Sequence, residues 1–426
     1  MRVFQTLLAF SGNAQPQLAV TRRLVNAGHH VRVLAHEAAR ERVLATGAEL
    51  VPFTRAKPEL DISRREHDTL RDWQARTWAS AGIRLLRNGI FAFTLDVSRD
   101  CAEQLAAWPA DVVLYDWMLT GAGVAADGAH VPAVALVHCP YPYPVPGAPP
   151  MFAGLSPIPG ALGATRDRLA SAIAGRMFDL GRGVLNKARA EHGLAPLAHW
   201  RQQLERAHAV CILHAPELDF TSAGRLPANV RYVGPSFEPY PTEWCSPWPP
   251  EHADPLVVIS LSTSYMDQAS LAQRILDAVS VLPVRALLTV GPALELERLR
   301  IPANARTVSY VAHRTVFPHA ALVISHAGWQ TISAALADGV PLVCIPGGRD
   351  QPDNAARVLA LGAGVRARPG VSTERLRALI SRALADPALA RGAQAAARAQ
   401  ARCDGAGAVV EQLERMAGAR AVEVRA

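Results

Sequence analysis

Residues 325–357 read SHAGWQTISAALADGVPLVCIPGGRDQPDNAAR, and the stretch holds two strand-to-helix turns in succession. An apolar run, AALVISHAG (320–328), ends in small residues, and His326-Ala-Gly-Trp-Gln-Thr331 then opens a helix. Small residues let a ligand approach the backbone. The unpaired N–H groups of a first helical turn, with the positive end of the helix dipole, make an anion site there. His326 can add one more donor to a phosphate oxygen, and Thr331 can cap the helix or bond the ligand. The second turn repeats the pattern: strand PLVCIPG (341–347), a Gly-Gly-Arg loop, then Asp350-Gln351 at the next helix start. A carboxylate beside an amide suits sugar hydroxyls, which offer donors and acceptors together. A lone histidine is usually a capping or core residue. Here His, Gly, Thr, Asp and Gln gather at two successive strand ends, and that context favours a binding site.

The same alternation extends in both directions. LVVISLS (256–262), VRALLTVG (284–291), ARTVSYV (305–311) and GVRARPG (364–370) read as buried strands, with helices over 267–281, 372–386 and 388–402. Towards the N-terminus, VFQTLLAF (3–10) is an apolar strand and SGNAQP a turn. A helix from Gln17 then closes on Gly28, and HHVRVLAH (29–36) is the next strand. DVVLYDWML (111–119), VPAVALVH (131–138), AVCILHA (209–215) and VRYVG (230–234) continue this first series. Such alternation implies parallel sheets covered by helices on both faces. Residues 235–255 are proline-rich and lack a hydrophobic period, which marks a linker. The expected class is therefore α/β, with two doubly wound, Rossmann-like domains facing across a cleft. We expect an N-terminal domain over 1–234, the linker, a C-terminal domain over 256–404, and a last helix (405–426) packing back on the first domain.

Composition narrows the function classes. The chain has 426 residues, 50% hydrophobic and 19% charged, enough apolar material for two ordinary cores. The formal net charge of +7 comes from scattered arginines, with Lys57 and Lys187 as the two lysines. No basic run suits a nucleic-acid arm, while a weak positive field favours a phosphorylated small molecule. The six cysteines lie far apart, without metal-ligand spacing, and are expected to be buried, reduced thiols of a cytoplasmic protein. No signal peptide and no 18-residue apolar span is legible.

The 325–357 motif resembles the donor-binding signature of family 1 glycosyltransferases of the GT-B fold, in the style of bacterial transferases that decorate antibiotics. HAGWQT resembles that family's H-x-G-x-x-T element, and ALADGVPLVCIPGGRDQPDNAARV its A-L-x-x-G-V-P…D-Q-x-x-N-A-x-R element. VRYVGP (230–235), ISLSTS (259–264) and VSYVAH (308–313) are similar to the phrases before the linker, at a phosphate contact and at the nucleotide base. The resemblance implies that His326 and the backbone of Gly328, Trp329, Gln330 and Thr331 hold a donor diphosphate. By the same resemblance Thr263 adds a contact, Val311 meets the base, and Asp350 with Gln351 binds the sugar. Ser262 replaces the usual Gly, and Ala312-His313 replaces Pro-Gln.

The resemblance also implies an inverting transfer without metal or cofactor, in which the nucleotide-sugar is a co-substrate. Helix dipoles stabilise the departing nucleotide diphosphate. The family's usual base is a His in a G-H-x-x-P element, but here Gly12-Asn13-Ala14-Gln15-Pro16 puts Asn13 at that position. Asn cannot accept a proton at useful pH. Asp116, at the end of VVLYD, matches the family's orienting aspartate. Four explanations stay open: Asp116 is the base; another group such as His138 has taken over; the acceptor needs little base; or the base has been lost. The preferred reading is Asp116 as base with Asn13 positioning the acceptor. Trp73, Trp78, Phe91, Trp117, His138 and Tyr141 are candidates for an apolar acceptor pocket. The function expected is sugar transfer from a dTDP- or UDP-sugar to an apolar secondary metabolite. The rivals are an impaired or auxiliary transferase-like binding protein and a GT-B nucleotide-sugar epimerase. Homodimerisation is left open.

Overall fold

The computed structural model describes residues 1–8, 11–56, 63–75, 77–220, 226–239 and 243–423. Two parallel sheets organise it. The first has seven strands: β1 (Arg2–Thr6), β2 (His30–Ala35), β3 (Glu49–Pro52), β4 (Val112–Asp116), β5 (Ala133–Val137), β6 (Ala209–Ile212) and β7 (Val230–Tyr232), in spatial order 3-2-1-4-5-6-7. The second has six: β8 (Leu256–Ser260), β9 (Arg285–Thr289), β10 (Ala305–Val308), β11 (Ala320–Ser325), β12 (Leu342–Cys344) and β13 (Gly364–Arg366), in order 10-9-8-11-12-13. β4, β5 and β8 are buried at every residue. Helices on both faces of a parallel sheet require this, and it is why these strands read as continuous apolar runs rather than alternating ones.

In each sheet the strand order reverses once, between β1 and β4 and between β8 and β11. A crevice opens beyond the carboxyl ends at such a point. At these points lie Asn13, in the first turn of the first helix, and Asp116, at the end of β4, in the first sheet, and Ser260–Ser264 and His326–Gly328 in the second. The last helix, Gly405–Glu423, sets Val409, Val410 and Leu413 into the core of the first sheet beside Val3, Leu7 and Leu24.

Two expectations are corrected. The first helix runs Ser11–Asn26 and includes Pro16, so SGNAQP is helix and not turn. Pro16 has no N–H to give the Gly12 carbonyl, so the helix opens at the cleft with a carbonyl lacking its i+4 partner. Cys245 is exposed, although Trp244 and Trp248 on either side of it pack against the core.

Candidate active site

The two switch points face one another across a cavity of about 440 Å³. His326 sits directly after β11, and Gly328 is the N-cap of the helix Trp329–Ala337. A Cβ at Gly328 would lie 2.5 Å from His326 Nε2, so the absent side chain is what lets the imidazole lie over the helix mouth. His326 Nδ1–H donates to the Ser260 carbonyl at 3.4 Å, which turns Nε2 towards the helix start. Burial pushes the imidazole down to about 4, and Arg349 and His313 oppose its protonation as well. It is neutral at pH 7 with its proton on Nδ1, and an anionic oxygen placed beside Nε2 would raise that value and favour the imidazolium, whose Nε2–H donates to the anion.

The expected donor residues border this cavity. Thr263 and Val311 come from the loops after β8 and β10, and Trp329, Gln330 and Thr331 from the first helical turn. Their side chains divide the work. The Gln330 amide group reaches across the cleft and donates to the His138 carbonyl at 2.8 Å. The Trp329 indole packs edge-on against His214 at 4.9 Å, so its backbone is the part available to a ligand. Asp350 caps the helix Gln351–Ala360, and its Oδ2 accepts from Asn354 Nδ2 at 2.8 Å. Asn354 also donates to the Ala327 carbonyl at 3.0 Å, joining the two donor turns. Gln351 also borders the cavity. Its Oε1 accepts from the Gly347 and Gly348 amides at 2.9 and 3.3 Å, and its Nε2 faces Met266 Sδ at 3.0 Å. The side chain shapes the loop and keeps a second amide N–H.

Asn13 borders the cavity from the first domain, but Asp116 does not. Asp116 is fully buried. Its Oδ1 accepts from the Met118 amide at 2.9 Å and its Oδ2 from Gln17 Nε2 at 2.5 Å. Gln17 also donates to the Asn13 carbonyl at 3.1 Å. The group that reaches the cavity is His138, whose Nε2 stands 3.5 Å from Asp116 Oδ2 and has no hydrogen-bond partner. The reading of Asp116 as the base is corrected accordingly: strand-end packing encloses the carboxylate and leaves the imidazole in front of it.

Of the acceptor candidates, Trp117 and His138 border the cavity, while Trp73, Trp78, Phe91 and Tyr141 do not. Trp73 donates its indole N–H to Asp68 at 2.8 Å and meets Tyr265 edge-on. Trp78 opens the helix Trp78–Gly89 and is 37% exposed. Phe91 packs on Trp200 at 4.5 Å, and Tyr141 on Tyr143 at 5.9 Å. Trp73, Phe91 and Tyr141 pack on other rings instead, Tyr265, Trp200 and Tyr143. The apolar wall is formed mainly by Leu70, Leu85, Ile90, Met118 and Met151, with Trp117 and Phe152.

Several contributors were not foreseen. Gln17 stands one helical turn after Asn13, an i+4 spacing that could have revealed it. Ser236, Phe237 and Glu238 of the linker also border the cavity. His313 lies against Ser260, its Nε2 3.1 Å from the hydroxyl, and burial lowers it to about 4. Asp72, from the first domain, pairs with Arg349 at 2.9 Å, and the Arg349 Nη1 donates to Ser264 at 2.5 Å. Among the described residues, no group of three or more His, Cys, Asp or Glu side chains is placed to hold a metal ion, and no helix is long and apolar enough to cross a membrane.

Comparison with known proteins agrees with this geometry. Residues 273–416 match the family described as erythromycin biosynthesis protein CIII-like, C-terminal domain. The 4'-demethylrebeccamycin synthase of Lentzea aerocolonigenes is 28% identical over 381 residues, covering 88% of this chain and 89% of that protein. The demethyllactenocin mycarosyltransferase of Streptomyces fradiae is 26% identical, over 91% of this chain and 80% of that protein. The crystal structure of the kitacinnamycin glycotransferase superposes with a TM-score of 0.73 at 21% identity, covering 97% of this chain and 98% of that one. That of the glycosyltransferase VinC, in complex with dTDP, superposes with a TM-score of 0.70 at 19% identity, over 98% of this chain and all of that one (100%).

Proposed function

We propose that this chain, with its EryCIII-like C-terminal match and GT-B fold, is a glycosyltransferase of the natural-product type that transfers a sugar with inversion from a dTDP- or UDP-sugar to an apolar small-molecule acceptor. The observation that carries this reading is the pairing of His138 with buried Asp116 directly across the cavity from the His326–Thr331 helix start. The donor diphosphate would lie against the helix amides, with His326 beside it. As the bond to C1 of the sugar breaks, negative charge builds on the diphosphate, where those amides and the dipole stabilise it. This supports transfer without a metal ion. Asp350 would hold sugar hydroxyls from the second domain.

The acceptor would enter against Leu85, Ile90, Met151 and Phe152, an apolar wall suited to a greasy aglycone. In this reading His138 carries its proton on Nε2, directed at Asp116, and its Nδ1 takes the acceptor proton as the nucleophile attacks. Asp116 then stabilises the imidazolium that forms. Asn13 is left as a polar wall group. dTDP is the favoured nucleotide, because VinC, of the same fold, is described with it.

The reading is tested by incubating the protein with dTDP- and UDP-sugars and a panel of aromatic and macrolactone aglycones. Products are identified by mass and by the anomeric coupling in NMR, with and without EDTA. An inverted anomer whose yield is indifferent to EDTA is expected. A retained anomer, or loss of activity with the chelator, would overturn the mechanism.

A further inference from the structure

The helix Gln351–Ala360 makes contacts that binding a donor does not require. Asp353, three residues beyond Asp350, is buried and turned away from the cavity. Its Oδ2 accepts from the Phe152 amide and its Oδ1 from the Gly154 amide, both at 2.6 Å, across some two hundred residues of chain and from one domain to the other. One turn further on, Arg357 places its Nε and Nη2 on Asp219 Oδ1 at 2.9 and 2.7 Å. Residues i and i+4 share a helix face, so the face opposite the donor is built to grip the first domain.

The partner segment is not an ordinary loop. Phe152 has φ +73°, a conformation rare for an aromatic residue and kept only where contacts enforce it. Gly154 lies so close to the helix that a Cβ would sit 2.6 Å from Pro352 Cβ. Met151 and Phe152 form part of the acceptor wall. Burial raises Asp353 to about 7 against the opposing pull of Arg357 and the two amides. A carboxyl group so removed from water is costly, and what it secures is the conformation of residues 151–154.

We propose that Asp353 is a positioning residue for sugar transfer, fixing the acceptor wall at Met151–Gly154 in register with the helix that presents Asp350 to the donor. The inference rests on the donor and acceptor readings above. It adds that ordering the donor helix orders the acceptor wall through this single side chain.

Hydrogen exchange on the full-length protein, with and without saturating dTDP or UDP, tests it. In the wild type the segment 147–156 is expected to be protected, and to exchange more slowly still with nucleotide bound. Asp353→Asn presents an amide N–H where one of the two backbone donors needs an acceptor. Exchange in 147–156 should rise about tenfold or more, the response to nucleotide should vanish, and nucleotide affinity should stay within about twofold. Gly154→Ala, which pushes the segment off Pro352 while leaving Asp353 intact, should do the same. Unchanged exchange in both variants, exchange raised throughout the chain, or a wild-type segment blind to bound nucleotide would each refute the proposal while leaving the donor reading standing. Failure of the wild type to bind either nucleotide would defeat both.

Discussion

Gly328→Ala should abolish tight nucleotide binding without harming the fold, and the structure says by how much. The backbone there has φ −63° and ψ 136°, which alanine adopts freely. The change therefore costs at most about 1 kcal/mol in helix capping. The new Cβ would stand 2.5 Å from His326 Nε2 and 3.0 Å from its Cε1. Neither contact is tolerable, so the ring must swing. One long hydrogen bond, Nδ1 to Ser260 at 3.4 Å, opposes that swing. The ring then no longer lies over the helix mouth, and the methyl group intrudes on the anion's space. Loss of one hydrogen bond to a charged group is worth about 1.5–3 kcal/mol, or about 10- to 150-fold in Kd. Isothermal titration with dTDP and UDP measures this directly. Gly175→Ala, where an added Cβ meets nothing within 4 Å, is the control. A Gly328→Ala protein of normal melting temperature that binds within about twofold of wild type would refute the role given to His326 and the helix mouth.

Asp116→Asn and His138→Gln should each lower transfer by about 10²- to 10⁴-fold while leaving nucleotide affinity unchanged, and the double variant should lose little more, because the two act as one unit. If either single variant keeps full activity, the pair is not the base. Stability should depend on acid through His313 and His326, both pushed by burial from 6.5 to about 4. Between those values the unfolded chain binds more protons than the folded one, so stability is full above pH 6.5 and is lost as pH falls towards 4, by up to about 3 kcal/mol for each group. The change in urea midpoint between pH 7 and pH 5 should differ between the wild type and a His313→Gln/His326→Gln variant in the direction of less acid destabilisation in the variant, and an unchanged pH slope would show that these imidazoles are not the source.

Much of the fold was legible because its strands are buried on both faces. Runs such as VVLYD and LVVIS admit few other readings, and the turns after them gave the cleft. The cavity-lining residues of the second sheet were legible because small residues and a helix start lie together in sequence. The rest depends on contacts between distant segments. That His138 rather than Asp116 faces the cavity follows from Gln17 and Met118 closing over the carboxylate, which no local pattern reveals. The aromatic stretch over 70–95 misled because Trp73 and Phe91 pack on rings from distant segments, Tyr265 and Trp200, rather than on the cavity. Gln351 borders the cavity and also bonds its own glycine loop, a second task that only the fold shows. Asp353 lies inside the most legible motif of the chain, yet its partners are two amides of the other domain.

In the proposed function the turn after β11 holds a nucleotide diphosphate. Titrating the protein with dTDP, UDP and GDP and their sugar conjugates, by thermal shift, tests it most directly. At about one hundred times its dissociation constant a ligand stabilises the folded state by about 2.7 kcal/mol, a readily visible shift. dTDP or UDP should produce such a shift, and His326→Ala should remove most of it. No shift with any nucleotide, or one that survives His326→Ala and Gly328→Ala alike, would contradict that function.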